Sequence, residues 1–336
     1  LAFSRQMDLA SRIGSFITLG QQLGRNELRP LVVDPLSNPW FTGREINRAC
    51  KFWAGLLTWD NLLKWTGPYR IPDDRLAKNV LVIPAANLPL VGFHDFLSVL
   101  ITGNRYIGQV SSRDNQLLPA VADALIAINP EFRDKILFSN QPQPADGVIA
   151  TGNNNTARYF DYKYRSVPSV IRKNRSSAAV LTGRESPADY AGLTADILEY
   201  YGLGCRSVSH VFMPSGLPTD ALVSSIENFS DWDDNQMLRD NLRFQKARLT
   251  LMKLPFTDAG KIILCENHSL HSPIGMVHYS YLDDDNTLDE WLNRDSGELQ
   301  CIVGTNRIPF GSAQKPALWD YADRIDVVRF LINLGI

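Results

Sequence analysis

Long apolar runs are missing from this 336-residue chain. None approaches the roughly 18–20 residues that a membrane-spanning helix needs. A surplus of charge is missing too: 34 Lys and Arg against 36 Asp and Glu leave a formal net charge of −2. That balance argues against a general nucleic-acid or membrane-surface binder, and the short acidic stretch Asp283-Asp284-Asp285 reads as a solvated loop. Cysteine is sparse. Cys50, Cys205, Cys265 and Cys301 are widely scattered, the pattern of reduced thiols in a cytoplasmic protein. Repeats of 20–50 residues and low-complexity segments are absent. The opening stretch "LAFSRQMDLASRIGSFITLGQQL" carries charge through its apolar positions and lacks a small-residue cleavage site, so it reads as an amphipathic helix and not a signal peptide.

What is present is ordinary for a globular protein: 44% hydrophobic residues and 21% charged. The length suits two domains or one large α/β unit with lobes. Residues 1–66 read as helical, with Ile13, Phe16, Ile17 and Leu23 on one stripe and "REINRACKFWAGLLTWDNLLKW" as a second helix. The texture then changes. "NVLVIP" (79–84) reads as a buried strand, "LPLVGFHDFLSVLITG" (88–103) as a helix closed by glycine, "RYIGQV" (105–110) as a strand and "NQLLPAVADALIAIN" (115–129) as a helix. "KILFS" and "DGVIAT" complete the set. The rhythm restarts near residue 173 with the strand "SSAAVLTG" and the helix "SPADYAGLTADILEYYG", which has Ser at its N-cap and Pro at its first position. The strand "SVSHVFMP", a helix near 234–250 and strands near 261–264, 274–281 and 300–303 follow. The expected fold class is α/β: two lobes, each a mostly parallel, helix-covered sheet, with a boundary near 165–177 and a ligand cleft between them.

Three places carry chemistry. Cys205, in "YYGLGCRSVSHVFMP", follows Gly202-Leu203-Gly204, where the backbone turns sharply and leaves room for a substrate. Arg206 beside it favours the thiolate, against the ordinary role of cysteine as a small core hydrophobe. His210 belongs on the opposite side of a strand from Cys205 and is a poor local partner. Asn87, between a strand and the next helix, suits either a helix N-cap or an oxyanion donor. The start of "TGNNNTARYF" (151–160) offers amides for a phosphate or a nicotinamide–ribose group, or is simply an Asn-rich turn. Two further patterns are set aside. Cys265, His268 and His271 have C-x2-H-x2-H spacing but no nearby fourth ligand, so no metal is expected. "GLGCRS" echoes a dinucleotide fingerprint but follows a helix, leads into a strand and lacks the third glycine.

Taken in order, these segments resemble the aldehyde dehydrogenase superfamily. Asn87-Leu88-Pro89 is similar to its Asn-x-Pro element, Gly103-Asn104 to the Gly-Asn before the second cofactor strand, and Thr151-Gly152 to the Thr-Gly beside the nicotinamide. Gly202 to Phe212 resembles the nucleophile segment, with Cys205 at the nucleophile position and Ser209 and Phe212 behind it. "NLPLVG", Ser111-Ser112 and "ADRIDVV" (322–328) bring the resemblance closest to the fatty acyl-CoA and acyl-protein thioester reductases of the bacterial luminescence type, the LuxC family.

The resemblance implies an NADPH-dependent reduction of a fatty acyl thioester to an aldehyde through a Cys205 acyl-enzyme, with Asn87 in the oxyanion hole. It implies cofactor contacts at Gln109, Ser111, Ser112, Arg113, Thr151, Gly152 and Asn153. Acyl-CoA or an acyl-transferring protein is the implied partner, with no nucleic acid and with self-association left open. The implied division is a helical segment plus cofactor lobe over 1–172, a catalytic lobe over 173–320, and a C-terminal segment over 321–336 packing back on the cofactor lobe. An aldehyde-oxidising dehydrogenase and a non-catalytic acyl- or nucleotide-binding relative are the alternatives. Three departures are plain: Gln109 replaces the ribose-gripping lysine, "IRKNRSSAAV" lacks the glutamate of the usual Glu-Leu-Gly-Gly, and "SPIG" (272–275) replaces Glu-x-Phe-Gly.

Overall fold

The structure is a computed structural model that describes residues 7–25, 38–73, 76–282, 288, 291 and 296–334; the acidic stretch 283–285 lies outside them. The chain divides into two compact units, one of Leu1–Lys173 with Ala317–Ile336, the other of Asn174–Pro316. Among the described residues no helix is long and apolar enough to cross a membrane.

The first unit is built on a parallel sheet of β1 (Asn79–Ile83), β2 (Arg105–Gly108), β3 (Ile136–Phe138), β4 (Gly147–Thr151) and β5 (Ser169–Arg172), in the order β3-β2-β1-β4-β5. Its helices are α1 (Leu9–Gly24), α2 (Gly43–Leu56), α3 (Trp59–Thr66), α4 (Phe93–Ile101), α5 (Leu117–Ile128), α6 (Asn154–Lys163) and, from the end of the chain, α10 (Val327–Asn333). A central parallel strand is covered on both faces and so reads as an unbroken apolar run; β1 buries Val80, Leu81 and Val82 accordingly. Asp8 caps α1 by accepting the Ser11 N–H, and Ile13, Phe16, Leu19 and Leu23 are buried. Ile17 is half-buried, and Leu19 holds the place expected for it. Phe16 meets Phe96 and Phe132 edge-on.

Two expected helices are corrected here. The tryptophan-rich segment is two helices, because Thr58 is extended (φ −108°, ψ 159°) and its hydroxyl accepts the Asn61 N–H, capping α3. Residues 88–92 form turns instead of a first helical turn: Leu90 is left-handed at φ 57°, and α4 begins only after Gly92. A Cβ on Gly92 would lie 2.7 Å from Pro84 Cβ, so this close approach needs glycine.

The C-terminal segment is held by a hydrogen-bond relay. Trp65 Nε1 donates to Tyr321 Oη (2.8 Å), Tyr321 and Tyr69 hydroxyls lie 2.7 Å apart, and Tyr69 donates to Asp326 (2.9 Å). α10 buries Val327, Val328 and Leu331.

The second unit holds β6 (Ser176–Val180), β7 (Val208–Pro214), β8 (Thr257–Asp258), β9 (Ile263–Glu266), β10 (Met276–Leu282) and β11 (Leu299–Gly304) in the order β11-β6-β7-β10-β9-β8. Among the described residues only the β8–β9 pair of this sheet is antiparallel. Its helices are α7 (Pro187–Leu198), α8 (Asp220–Glu227) and α9 (Gln236–Leu251). α7 starts as its sequence dictates, with Pro187 in the first turn and a reciprocal capping box between Ser186 and Asp189. Leu193, Ile197, Leu222 and Ile226 form one core with Ala179, Val211, Met213 and Val303. Ala178, Phe212, Leu270, Leu288 and Leu299 form a second.

Candidate active site

In the first unit the candidate residues gather at one edge of the sheet. Asn87 follows the carboxyl end of β1, Gln109 to Arg113 follow β2, and Thr151, Gly152 and Asn153 end β4 or follow it. These strands are neighbours, in the order β2-β1-β4. The direction of strand order reverses at β1/β4, and open parallel sheets bind ligands at such a switch point, beyond the carboxyl ends. The residues present therefore suit an extended dinucleotide.

Details differ from the sequence reading. Asn87 is not a helix N-cap; that position belongs to Gly92, because residues 88–92 turn first. At the start of α6, Asn153 Oδ1 accepts the N–H groups of Asn155 (3.0 Å) and Thr156 (2.9 Å), so these two amides are engaged within the helix start. Gly152 allows α6 to approach: a Cβ there would lie 2.8 Å from Thr156 Cβ. Ser111 shapes its own loop, with Oγ accepting the Arg113 N–H (3.2 Å) and its carbonyl accepting the Asp114 N–H (3.0 Å). Ser112 and Arg113 are exposed. Burial raises the Asp114 carboxyl to about 6.

Under this edge lies an ion pair with no sequence motif to announce it. Arg172, at the end of β5, donates from Nη1 and Nη2 to the two oxygens of Asp95 in the first turn of α4 (2.7 and 2.9 Å), and both side chains are buried. The bidentate geometry fixes the start of α4 relative to the sheet.

In the second unit Cys205 is exposed, whereas Cys50, Cys265 and Cys301 are buried. The approach to it is unusual. Tyr200 (φ 53°), Tyr201 (φ 57°) and Gly202 (φ 71°) are all left-handed, a region that costs a bulky residue on the order of 1 kcal/mol or more. Burial of both tyrosines, with the Tyr201 ring edge-on to Trp232, holds them there. The sharp turn thus begins two residues before the glycines.

Cys205 itself sits at the tip of a turn closed twice: the Ser207 N–H donates to the Gly204 carbonyl (3.0 Å) and the Gly204 N–H to Ser207 Oγ (3.2 Å). β7 begins at once afterwards. A third tether comes from Ser177, which is fully buried on β6. Its hydroxyl donates to the Cys205 carbonyl (2.9 Å), lies 3.0 Å from Cys301 Sγ, and accepts the Cys301 N–H (3.2 Å). Ser177 carries no signal in the sequence; the pairing of β6 with β7, which sets Ser177 against Val208, places it under the turn.

Arg206, read from sequence as support for a thiolate, is buried, and its Nη1 donates to the Ala313 carbonyl (3.2 Å). It ties the turn to the 311–314 loop, as does Gln314, which donates to Ser207 Oγ (2.9 Å). Asp196 on α7 receives the N–H groups of Gly311 and Ala313 (2.7 and 2.9 Å), and burial raises its carboxyl to about 6.

Ser209 donates to the Leu270 carbonyl (2.8 Å), and Phe212 is core. His210 is turned into the sheet, with Nε2 2.6 Å from Ser280 Oγ and Nδ1 3.0 Å from the Ser269 carbonyl. Burial lowers its pKa to about 4. The three residues with metal-like spacing look to different partners: Cys265 Sγ to backbone carbonyls, His268 to the Trp291 ring, and His271 Nδ1 to Ser176 Oγ at 2.5 Å. Glu185 accepts the Thr182 N–H and hydroxyl and the Gly183 N–H (2.6, 2.9 and 2.9 Å), closing the turn before α7.

No protein-family model matches this chain, and no curated protein matches it in sequence. Solved structures do match. PutA from Anabaena variabilis, described as an aldehyde dehydrogenase, is 13% identical at a TM-score of 0.66, over 96% of this chain and 86% of that one. The NAD-dependent benzaldehyde dehydrogenase of Corynebacterium glutamicum is 12% identical at 0.65, over 89% and 77%. An aldehyde dehydrogenase of Mycobacterium tuberculosis, solved with NAD+, is 13% identical at 0.61, over 86% and 71%. With two α/β units and this strand order, the chain has the aldehyde-dehydrogenase-like fold.

Proposed function

We propose that this protein is a nicotinamide-dependent oxidoreductase working through Cys205, and that it reduces a fatty acyl thioester, carried by coenzyme A or a protein, to an aldehyde with NADPH. One observation carries the reading: the exposed cysteine stands on a turn whose backbone is tied down by Ser207, Gly204 and Ser177. A nucleophile must be accessible yet held still, and this one is both.

The Cys205 sulfur attacks the thioester carbonyl carbon, and the carbonyl electron pair moves to oxygen. The Cys205 backbone N–H is one donor to that oxyanion, and the Asn87 carboxamide is assigned as the second. Losing one such donor costs about 100- to 1000-fold in turnover. Collapse breaks the bond to the carrier sulfur, the carrier leaves as a thiol, and the acyl group remains on Cys205. Gln109, Ser111, Ser112, Arg113, Thr151, Gly152 and Asn153 are the residues that would hold NADPH along the carboxyl edge of the first sheet. The bound cofactor supplies the hydride that takes the acyl group to the aldehyde.

Oxidation of an aldehyde to an acid is the rival reading, since solved proteins of this fold are named aldehyde dehydrogenases. It needs a base to activate water on the acyl-enzyme. "IRKNRSSAAV" has no glutamate for that task, and the Glu185 carboxylate already receives three donors in its turn. Thioester reduction needs no such base.

Anaerobic incubation with a panel of acyl-CoAs and NADPH, following cofactor absorbance and aldehyde together, tests the reaction. Intact-mass spectrometry without NADPH should show one acyl adduct that Cys205→Ser abolishes and Cys265→Ser retains. The adduct should decay faster with added coenzyme A than by hydrolysis. Normal acylation of Cys205→Ser sinks the mechanism, and rapid hydrolysis with no acceleration by thiol favours the aldehyde-oxidising rival.

A further inference from the structure

Asp196 breaks two local rules at once. It stands in the last turn of α7, where the helix dipole disfavours an anion, and it is 1% exposed, where an unmet carboxylate is costly. Neither the helix nor the core gains from an acid at this position, so its partners must account for it.

Both carboxylate oxygens are used, and both reach the same loop. Oδ2 accepts the Gly311 N–H (2.7 Å) and Oδ1 the Ala313 N–H (2.9 Å). Each of those residues is held at its other end by a cation. Lys315 Nζ donates to the Gly311 carbonyl (2.8 Å), and Arg206 Nη1 donates to the Ala313 carbonyl (3.2 Å). Gly311 and Ala313 are thus gripped between an anion and a cation, by charge-assisted bonds throughout. α7 also clears a bed for the loop. Gly192 lies one turn before Asp196 on the same face, and a Cβ there would meet the Phe310 carbonyl carbon at 2.7 Å. Gly311, left-handed at φ 79°, completes the close pass.

The far side of the loop meets the nucleophile turn. Arg206 directly follows Cys205, and Gln314 donates to Ser207 Oγ (2.9 Å), the atom that accepts the Gly204 N–H (3.2 Å). Both neighbours of Cys205 are therefore tethered to the loop, Gly204 through Ser207 and Arg206 through Ala313.

We propose that Asp196 is the positioning residue of the Cys205 turn, acting through the 311–314 loop to fix the direction of the Cys205 sulfur and N–H. This role rests on the thioester chemistry proposed above. It depends on charge and on two acceptor atoms. An asparagine of the same shape accepts only one of the two N–H groups and turns its own NH2 toward the other. The loop then lifts at that point, and Arg206 and Ser207 follow it.

Hydrogen exchange and single-turnover acylation of the whole chain test this together. In Asp196→Asn the amides of Gly204 and Ser207 should exchange about tenfold faster, beyond any change in the amides of β10, which open with the whole unit. The acylation rate constant at saturating acyl-CoA should fall about 10- to 100-fold, with half-saturation within about twofold of the parent. Gln314→Ala alone should slow acylation about tenfold and add nothing to Asp196→Asn, since both release the same loop. Should Asp196→Asn fail to fold, Lys315→Met carries the test from an exposed position. It frees the other end of Gly311 and should move exchange and acylation the same way by about threefold. Parental exchange at Gly204 and Ser207 in Asp196→Asn overturns the proposal. So does a loss confined to half-saturation, a Gln314→Ala effect that multiplies with that of Asp196→Asn, or, where it stands in, an inert Lys315→Met. A parent that no acyl thioester acylates at Cys205 refutes the thioester reading instead, and exchange, which needs no substrate, then decides the role of Asp196 by itself.

Discussion

Ser177→Ala is the substitution that probes the candidate nucleophile without touching it. The Ser177 hydroxyl donates to the Cys205 carbonyl and accepts the Cys301 N–H, in a fully buried position. Removing it takes one hydrogen bond from the Cys205 carbonyl and one from the Cys301 N–H, each worth about 0.5–1.5 kcal/mol net. The second unit should therefore lose about 1–3 kcal/mol, a drop of roughly 3–8 °C in its melting temperature. The effect on chemistry is separate. With its third tether gone, the Cys205 turn samples geometries in which the thiol and its own N–H no longer converge on one carbonyl. Acylation should slow about tenfold, equivalent to about 1.4 kcal/mol. Iodoacetamide, which needs an accessible thiol but no oxyanion donor, should still label Cys205 at the parental rate. Calorimetry, stopped-flow acylation and timed alkylation read the three quantities. Unchanged acylation in a destabilised variant would show that Ser177 serves the fold alone. Unchanged stability would refute the hydrogen-bond assignment itself.

The remaining expectations are briefer. His210 should titrate near pH 4 by NMR, against 6.5 for a free imidazole, because burial disfavours its charged form. Unfolding takes up a proton between those values, so this group subtracts up to about 3 kcal/mol as pH falls from 6.5 to 4. Asp196 and Asp114, raised to about 6, act with the opposite sign as pH falls below that value; a His210 midpoint above 6 would contradict the burial argument. Asp95→Ala should cost about 3–5 kcal/mol by leaving Arg172 charged and buried, and Asp95→Leu with Arg172→Met should recover most of that loss; equal melting of parent and Asp95→Ala would refute it. NADPH should be preferred to NADH, with the ratio of turnover efficiencies collapsing in Arg113→Ala; an unchanged ratio removes Arg113 from the cofactor site.

The sequence was most informative where one residue type or one run decides the structure locally. "NVLVI", "GVIAT" and "SVSHVFMP" are strands because a parallel sheet buries both of their faces. Ser186-Pro187 starts a helix because cap and φ constraint act within a single turn. It was silent where the partner is remote. Ser177 meets the Cys205 turn 28 residues on and Cys301 124 residues on, and Arg172 finds Asp95 across 77 residues. Tyr200 and Tyr201 carry no local signal for a left-handed backbone; their burial imposes it.

The return of residues 317–334 to the first unit bears on how the chain is made. The relay from Trp65 through Tyr321 and Tyr69 to Asp326 spans more than 250 residues of sequence. The first unit therefore remains open during synthesis, lacking α10 and the cover it gives Asn104, until residues 327–333 have emerged. The second unit is one continuous segment, Asn174–Pro316, and has every residue it needs before that point. Domains on a ribosome ordinarily mature from the N-terminus onward; here the later segment can close first, and the earlier one waits for its C-terminal strap. A chain arrested between residues 316 and 334 would hold a finished second unit and an unfinished first one, with the apolar side of α4 exposed to chaperones and proteases.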